Sequence, residues 1–255
     1  DLDISAFDLS NLEIQLQKTS NNTYLKLFDL ESPLFGNEGS SGGVSTLNSF
    51  INLTANKEDL DLDASVEVYE KLDESNNDRY EFILPSYNFN KNIKKYDKLD
   101  GTLTFSSSGS QHIYDTNIFE AQVINDLLYS SEDKYLRSGI KNNYNILLKN
   151  VNSDGRNSAK ISNDPKAELL STFIFESSYP LFREGINFNN YLTPKISLRY
   201  SPTEMKNLKN ESRRININNI FALDRIGFAD TIESGQSLTI GTEYKKSRKE
   251  KKKNT

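Results

Sequence analysis

The chain has 255 residues, 31 Lys and Arg against 36 Asp and Glu, a net charge of −5 and no cysteine. Basic residues are dispersed until the C-terminal end, which excludes the basic stripe of a nucleic-acid binder, and the missing cysteines exclude disulfides, thiolate nucleophiles and Cys-ligated metals within these residues. Hydrophobic residues make up 35%, and no stretch approaches the roughly 20 consecutive apolar residues of a membrane helix; membrane strands stay open because they alternate. The 13 Tyr and 14 Phe along the chain argue against disorder. The chain opens on Asp1 without the charged and apolar regions of a signal peptide and closes on a Lys-rich stretch after a strand-like run, so it is expected to be an internal piece of a longer protein.

In chain order, period-two alternation dominates. Leu12, Ile14 and Leu16 alternate with Glu13, Gln15 and Gln17, and Asn21 and Asn22 read as a turn. The Gly- and Ser-rich residues 36–43 read as a long loop. Leu60, Leu62, Ala64, Val66 and Val68 share one face of a predicted strand, with Asp61, Asp63, Ser65 and Glu67 on the other. Residues 75–78 carry turn chemistry. Leu99, Gly101, Leu103 and Phe105 alternate with Asp100, Thr102 and Thr104, and residues 106–110, with Gly109, read as the next turn. A strand is expected over 116–129, with turns at 130–133 and 152–155. Ile196, Leu198 and Tyr200 alternate with Lys195, Ser197 and Arg199. A second long loop follows over 201–231, and then Leu238, Ile240, Thr242 and Tyr244 alternate with Thr239, Gly241 and Glu243. The basic run 245–253 reads as a solvated turn or tail, or as a surface for anionic lipid headgroups or polyphosphate. Turn spacing predicts about ten or eleven strands, many longer than the usual five or six residues.

The class is therefore all-β, but alternation alone does not say whether the apolar face points into a soluble sandwich or out to lipid. The apolar faces are thin and broken by Thr, Ser and Gly. Aromatics fall near the ends of runs, at Tyr24, Phe28, Tyr80, Tyr87, Tyr129, Tyr135, Tyr191 and Tyr244, as in the interfacial girdles of membrane barrels. Both features favour a barrel; the absence of Trp does not.

Catalytic signals are thin. His112 lies near Ser108, Ser110 and Asp115, in what reads as a polar turn rather than a triad. Glu58, Asp59, Asp61 and Asp63 lack the Gly and Glu spacing of a calcium loop and alternate with leucines. The Ser- and Gly-rich residues 40–43 are followed by no P-loop Lys. No catalytic, cofactor or metal site is expected.

Four further blocks follow one another along the chain. Residues 11–30 are similar to a strand, S-N-D-x-Y-L-K, strand segment, and residues 78–87 to an R-Y-x-x-x-L-P strand. The run 178–181, followed by 191–195 and 200–202, resembles a W-P-L, L-x-P, Y-S-P series in which Tyr179 stands for the Trp. The most specific block is a loop of Asn219, Phe221, Asp224, Arg225, Gly227, Asp230, Glu233 and Gly235, continued by Gln236, Leu238, Thr239 and Gly241. In this order the blocks resemble the LptD (OstA) family of lipopolysaccharide-assembly outer-membrane barrels, with Thr231 where the family often has Arg. The resemblance implies an antiparallel up-and-down transmembrane β-barrel, with residues 1–244 part of a larger barrel domain and 245–255 a Lys-rich turn or cut end. It implies a non-enzymatic translocon component that inserts lipopolysaccharide into the outer leaflet of the Gram-negative outer membrane. Its implied partners are outer-membrane lipid, an LptE-like lipoprotein in the lumen and periplasmic lipopolysaccharide bridge proteins, with no cofactor and no nucleic acid. Under it Leu60, Leu62, Val66, Val68, Ile196 and Leu198 are expected to face lipid and Asp61, Asp63, Glu67, Lys195 and Arg199 the lumen. The loop 201–231 is expected outside the cell or folded into the lumen as a plug, and the Lys-rich turn in the periplasm. A porin or nutrient receptor, a soluble extracellular β-sandwich binding module and an outer-membrane lipase are the competing classes.

Overall fold

The computed structural model describes residues 4, 6–21, 23, 46–72, 79–93, 100–209, 211 and 214–249. Asn22, Tyr24, Phe28, the loop 36–43, the turn 75–78, Leu99 and the end of the basic run from 250 lie outside these residues. Among the described residues the secondary structure is strand throughout: β1 (Leu9–Gln15), β2 (Thr46–Lys57), β3 (Leu60–Lys71), β4 (Tyr80–Ile93), β5 (Gly101–Tyr114), β6 (Phe119–Ser131), β7 (Lys134–Tyr135), β8 (Lys141–Arg156), β9 (Lys166–Ser178), β10 (Leu181–Glu184), β11 (Phe188–Ser201) and β12 (Gly235–Arg248). They form one antiparallel up-and-down sheet in the order β1-β2-β3-β4-β5-β6-β8-β9-β11-β10, with β12 on β11 and β7 on β8. This is the architecture of a partial β-barrel, not of two stacked sheets. The count exceeds the expected ten or eleven because β7 and β10 have two and four residues, too few to leave an alternating run.

The chain divides into two compact units, residues 1–91, 106–125 and 151–168, and residues 92–105, 126–150 and 169–255. In the first, β2 and β3 pair without a break from Thr46↔Lys71 to Lys57↔Leu60 around the two-residue turn Glu58 and Asp59. Residues directly opposite share a face. One face therefore aligns Leu12, Leu53 and Ala64, and then Ile14, Ile51 and Val66. Ile14, Ile51 and Val66 are exposed. On the other face polar side chains bond one another. Thr54 donates to Asp63 Oδ2 at 3.2 Å, Ser65 to Glu67 Oε1 at 2.7 Å, and the Tyr69 hydroxyl to Glu67 Oε2 at 2.7 Å. Against β4 the register shifts between Ser65 and Glu67, so Leu84 and Pro85 stand opposite the single Val66. A proline has no N–H for a central ladder, and a bulge is where such a residue is tolerated.

Two expected turns are strand instead. Residues 106–110 run through the middle of β5, where Ser107 donates to Asn125 Oδ1 at 2.7 Å and a Cβ on Gly109 would lie 2.5 Å from the Tyr87 ring. The small and polar residues there serve cross-strand contact rather than reversal. Residues 152–155 continue β8, and the chain turns later, at Asn157 with φ 56. The strand expected over 116–129 is β6.

On β11 and β12 of the second unit the polarity of the two faces is inverted relative to a water-soluble sheet, while β8 and β9 bury Leu147, Leu170 and Ile174 beside Lys149 and Thr172. Ser197, Arg199 and Ser201 of β11 are buried, whereas the alternate Ile196, Leu198 and Tyr200 are exposed. On β12, Leu238 and Ile240 are 62% and 74% exposed while Thr239 is buried. Tyr129, Tyr144 and Phe173 of β6, β8 and β9 form an aromatic row with centroids 5.7 and 6.3 Å apart. A soluble sandwich buries its aliphatic alternates; here they are the outward ones. In bilayers, nitroxides at Leu62 and Leu198 are expected to collide with dissolved oxygen more than with a water-soluble relaxation agent. The reverse preference at either position would reject the assignment of that face to lipid.

Candidate functional site

The most organised polar site surrounds Arg199. Alternation on β11 places its side chain on the same face as Ser197 and Ser201, and it is 2% exposed. A buried guanidinium is tolerated only when hydrogen-bonded and compensated. Arg199 Nε donates to the Leu223 carbonyl at 2.9 Å and Nη2 to the Glu233 carbonyl at 2.6 Å. Nη1 lies 4.0 Å from Glu233 Oε2 and makes no hydrogen bond among the described residues. The Glu233 carboxylate is taken by the Arg225 fork, with Nε donating to Oε2 at 2.7 Å and Nη2 to Oε1. Two arginines thus flank one carboxylate, a planar and bidentate arrangement that lysine cannot reproduce.

All the groups Arg199 holds belong to the connection between β11 and β12, so residues 202–234 fold back onto the polar face of those strands. The segment has its own framework. Asp224 Oδ1 accepts from the N–H groups of Ile226 and Gly227 at 3.1 and 3.0 Å, an Asx turn that ends on Gly227 at φ 63. Asn219 Nδ2 donates to the carbonyls of Arg214 and Arg225 at 3.1 and 2.9 Å, and its Oδ1 accepts from Asn216 N at 2.7 Å. Lys206 Nζ meets Asp230 Oδ2 at 2.7 Å, and Lys206 N donates to Thr231 Oγ1 at 3.2 Å, so the two limbs of the segment are clipped together. Thr231 and Ile232 are buried beneath the clip. Phe221 lies flat on β12: a Cβ on Gly241 would stand 2.9 Å from its Cζ, so only glycine leaves room for the ring.

Apart from Leu238 and Thr239, which alternate along β12, nine of the ten motif residues therefore fall in or beside one structure. Asn219, Asp224 and Gly227 shape the segment. Arg225 and Glu233 join it to Arg199, Asp230 clips it, and Phe221 seats it on Gly241. Gly235, at φ 91, lets the chain turn into β12. Gln236 is the exception, exposed opposite Tyr200. Of the residues expected on the polar side, Asp63 and Glu67 belong to the bonded network of the first unit. Lys195 pairs with Glu243 at 2.7 Å on the same face as Arg199, and Asp61 is exposed next to the β2–β3 turn. Sequence reading missed Lys206, Asn216 and the buried Lys149–Asp126 pair, at 2.7 Å. Lys149 was detectable, since it stands at the alternate position between Leu147 and Val151. His112 is in β5, and its Nδ1 is 2.9 Å from Glu81 Oε1, while Asp115 accepts from Tyr80 N at 3.1 Å, so Ser108, Ser110, His112 and Asp115 do not form a triad.

Every charged group at the Arg199 site holds backbone or another charge, so the site positions a segment. Replacing Arg199 by Met should remove two backbone bonds and the charge that faces Glu233; breaking a buried pair costs roughly 3–5 kcal/mol. Trypsin should then cut at Lys206 and Lys209 at least about tenfold faster than in the wild type, by the same free-energy scale. Unchanged cleavage would show that the segment is held elsewhere.

Residues 7–254 match the family described as LptD: LPS transport system D. No curated protein matches the chain. With the match covering nearly the whole sequence and the all-β, outward-aliphatic sheet beneath it, the chain belongs to the LptD family of outer-membrane lipopolysaccharide-transport proteins.

Proposed function

We propose that this chain forms part of the wall of an outer-membrane barrel that inserts lipopolysaccharide into the outer leaflet, by transport rather than by catalysis. Residues 1–244 belong to that barrel domain, and β12 carries its wall on to Arg248, so residues 245–248 of the basic run are strand rather than the expected turn or tail. The face carrying Ile14, Ile51, Val66, Ile196, Leu198, Leu238 and Ile240 meets lipid. The face carrying Asp61, Asp63, Glu67, Lys195 and Arg199 lines the interior. The observation that carries this reading is the inverted polarity of β11 and β12, exposed aliphatics on one side and a buried Arg199 on the other.

Lipopolysaccharide has acyl chains that partition into hydrocarbon and a polyanionic sugar portion that requires a wet route. A closed barrel with a polar interior supplies both, because its ladder satisfies all backbone groups without exposing an edge to lipid. In this reading the segment 202–234 is a plug that lies against the interior wall. An LptE-like lipoprotein shares that interior, and periplasmic bridge proteins deliver the substrate. Depletion of the full-length gene product in its host is expected to lower the newly made lipopolysaccharide reaching the cell surface, with accumulation further in. Normal surface lipopolysaccharide with altered solute uptake would replace this reading by a porin or receptor.

A further inference from the structure

A second charged feature lies at the opposite end of β11, on the outward face. Along that face Leu198 pairs with Leu238, Ile196 with Ile240, and Leu192 with both Tyr244 and Leu181. The aliphatic band then stops. The next row is Arg183, Asn190 and Lys246 on three adjacent strands, and beyond it Phe188 pairs with Arg248. Adjacent strands stand about 4.8 Å apart, so Arg183 and Lys246 are separated by about 10 Å across Asn190. The Tyr244 hydroxyl donates to Asn190 Oδ1 at 2.8 Å, and Lys246 Nζ sits 4.3 Å above the Phe188 ring. Tyr244 thus closes the aliphatic band, and the Phe188 ring holds Lys246 from the outer side of the charged row.

The three cations on this face are exposed, and among the described residues none is ion-paired. The nearby carboxylates among the described residues point the other way. Glu184 pairs with Lys249 and Glu243 with Lys195, both at positions that alternate with the cation row. An outward surface that passes from aliphatic residues through Tyr244 to a row of cations, with Phe188 beside Arg248 at its outer edge, is complementary to a lipid with an anionic headgroup. The end of β11 carrying the row is joined to β10 by the short turn 185–187, whereas the long segment 202–234 leaves its other end. Short turns of such barrels face the periplasm, where the adjoining leaflet is phospholipid.

We infer that Arg183, Lys246 and Arg248 form a headgroup site for anionic phospholipid at the periplasmic end of β10, β11 and β12, with Tyr244 at the level of the glycerol backbone and Phe188 at the outer edge of the headgroup row. The inference rests on the barrel reading above for its orientation. The phosphate is held by two guanidinium forks and an ammonium whose approach is set by its ring contact, and the acyl chains lie on Leu192, Ile196 and Ile240.

The test uses the full-length protein in phosphatidylcholine nanodiscs containing a minority of phosphatidylglycerol, with lipid retained on release into detergent measured by native mass spectrometry. Each cation near an anionic surface changes affinity by about fivefold, so the R183Q/K246Q/R248Q variant should lose phosphatidylglycerol enrichment by more than about tenfold. Lys249→Gln, on the other face, should keep it. Wild-type enrichment should also fall as salt is raised, a reading that needs no variant to fold. Equal enrichment in wild type and triple variant, or none in the wild type, would overturn the site. In nanodiscs that also contain lipopolysaccharide, a variant that loses retained lipopolysaccharide but not phosphatidylglycerol would reassign the phosphate to the other leaflet and overturn the phospholipid assignment. These outcomes are read from bound lipid in vitro, whereas failure of the barrel reading is read from surface lipopolysaccharide in cells.

Discussion

A strand that turns one side toward hydrocarbon has to satisfy its backbone on its neighbours and send its polar side chains to the other side. Most of this structure follows from that constraint. The ladders are long and continuous, as in the unbroken β2–β3 and β11–β12 registers. Polar side chains gather on one face, and because they are packed against each other they bond across strands, as Thr54 with Asp63 and Ser65 with Ser86 do in one unit and Lys149 with Asp126 in the other. Cross-strand pairs of this kind contribute roughly 0.2–1 kcal/mol each; their number matters more than any one of them.

The same constraint creates the Arg199 site. A guanidinium on the polar face of a long strand needs acceptors, and the residues directly opposite Arg199, Ser237 and Ile174, offer no carboxylate. The acceptors come instead from residues 202–234, the carbonyls of Leu223 and Glu233, while the Glu233 carboxylate, 4.0 Å away, is held by Arg225. Neutralising one arginine against a carboxylate already held by another leaves Arg199 dependent on backbone carbonyls. The position of the segment and the burial of the charge are therefore one event: neither is stable without the other. Phe221 on Gly241 adds the apolar contact that fixes the rotation of the segment against β12.

Much of this was legible in the chain. Period-two runs with clean alternation, such as residues 60–68 and 195–200, located β3 and β11 and sorted their faces, because alternation is a direct imprint of the pleat. Turn chemistry was less faithful. Ser, Asn and Gly at 106–110 and 152–155 look like reversals in a protein whose strands are apolar on at least one alternate, yet here they occupy β5 and β8. A polar, water-facing or side-chain-bonded strand face tolerates those residues as readily as a turn does. Gly109 shows how: its lack of a side chain is used by the Tyr87 ring on the neighbouring strand. The pairings of β7 and β10 left no trace because two or four residues cannot establish a period.

The class of structure and the family are written in the chain itself. Alternation, spacing and the ordered motif of residues 219–241 are local properties, and each survives without knowledge of any distant contact. How the motif residues are used depends on contacts that only folding creates. Glu233 and Arg225 are eight positions apart and meet as an ion pair, but Arg199 reaches them only because β11 ends where the segment turns back. The choice between a segment standing away from the barrel and one folded against its polar face is likewise invisible in a polar, Gly-marked stretch of chain. It depends on whether a buried charge waits at the other end, and burial is a property of the folded sheet, set by which residues happen to stand opposite.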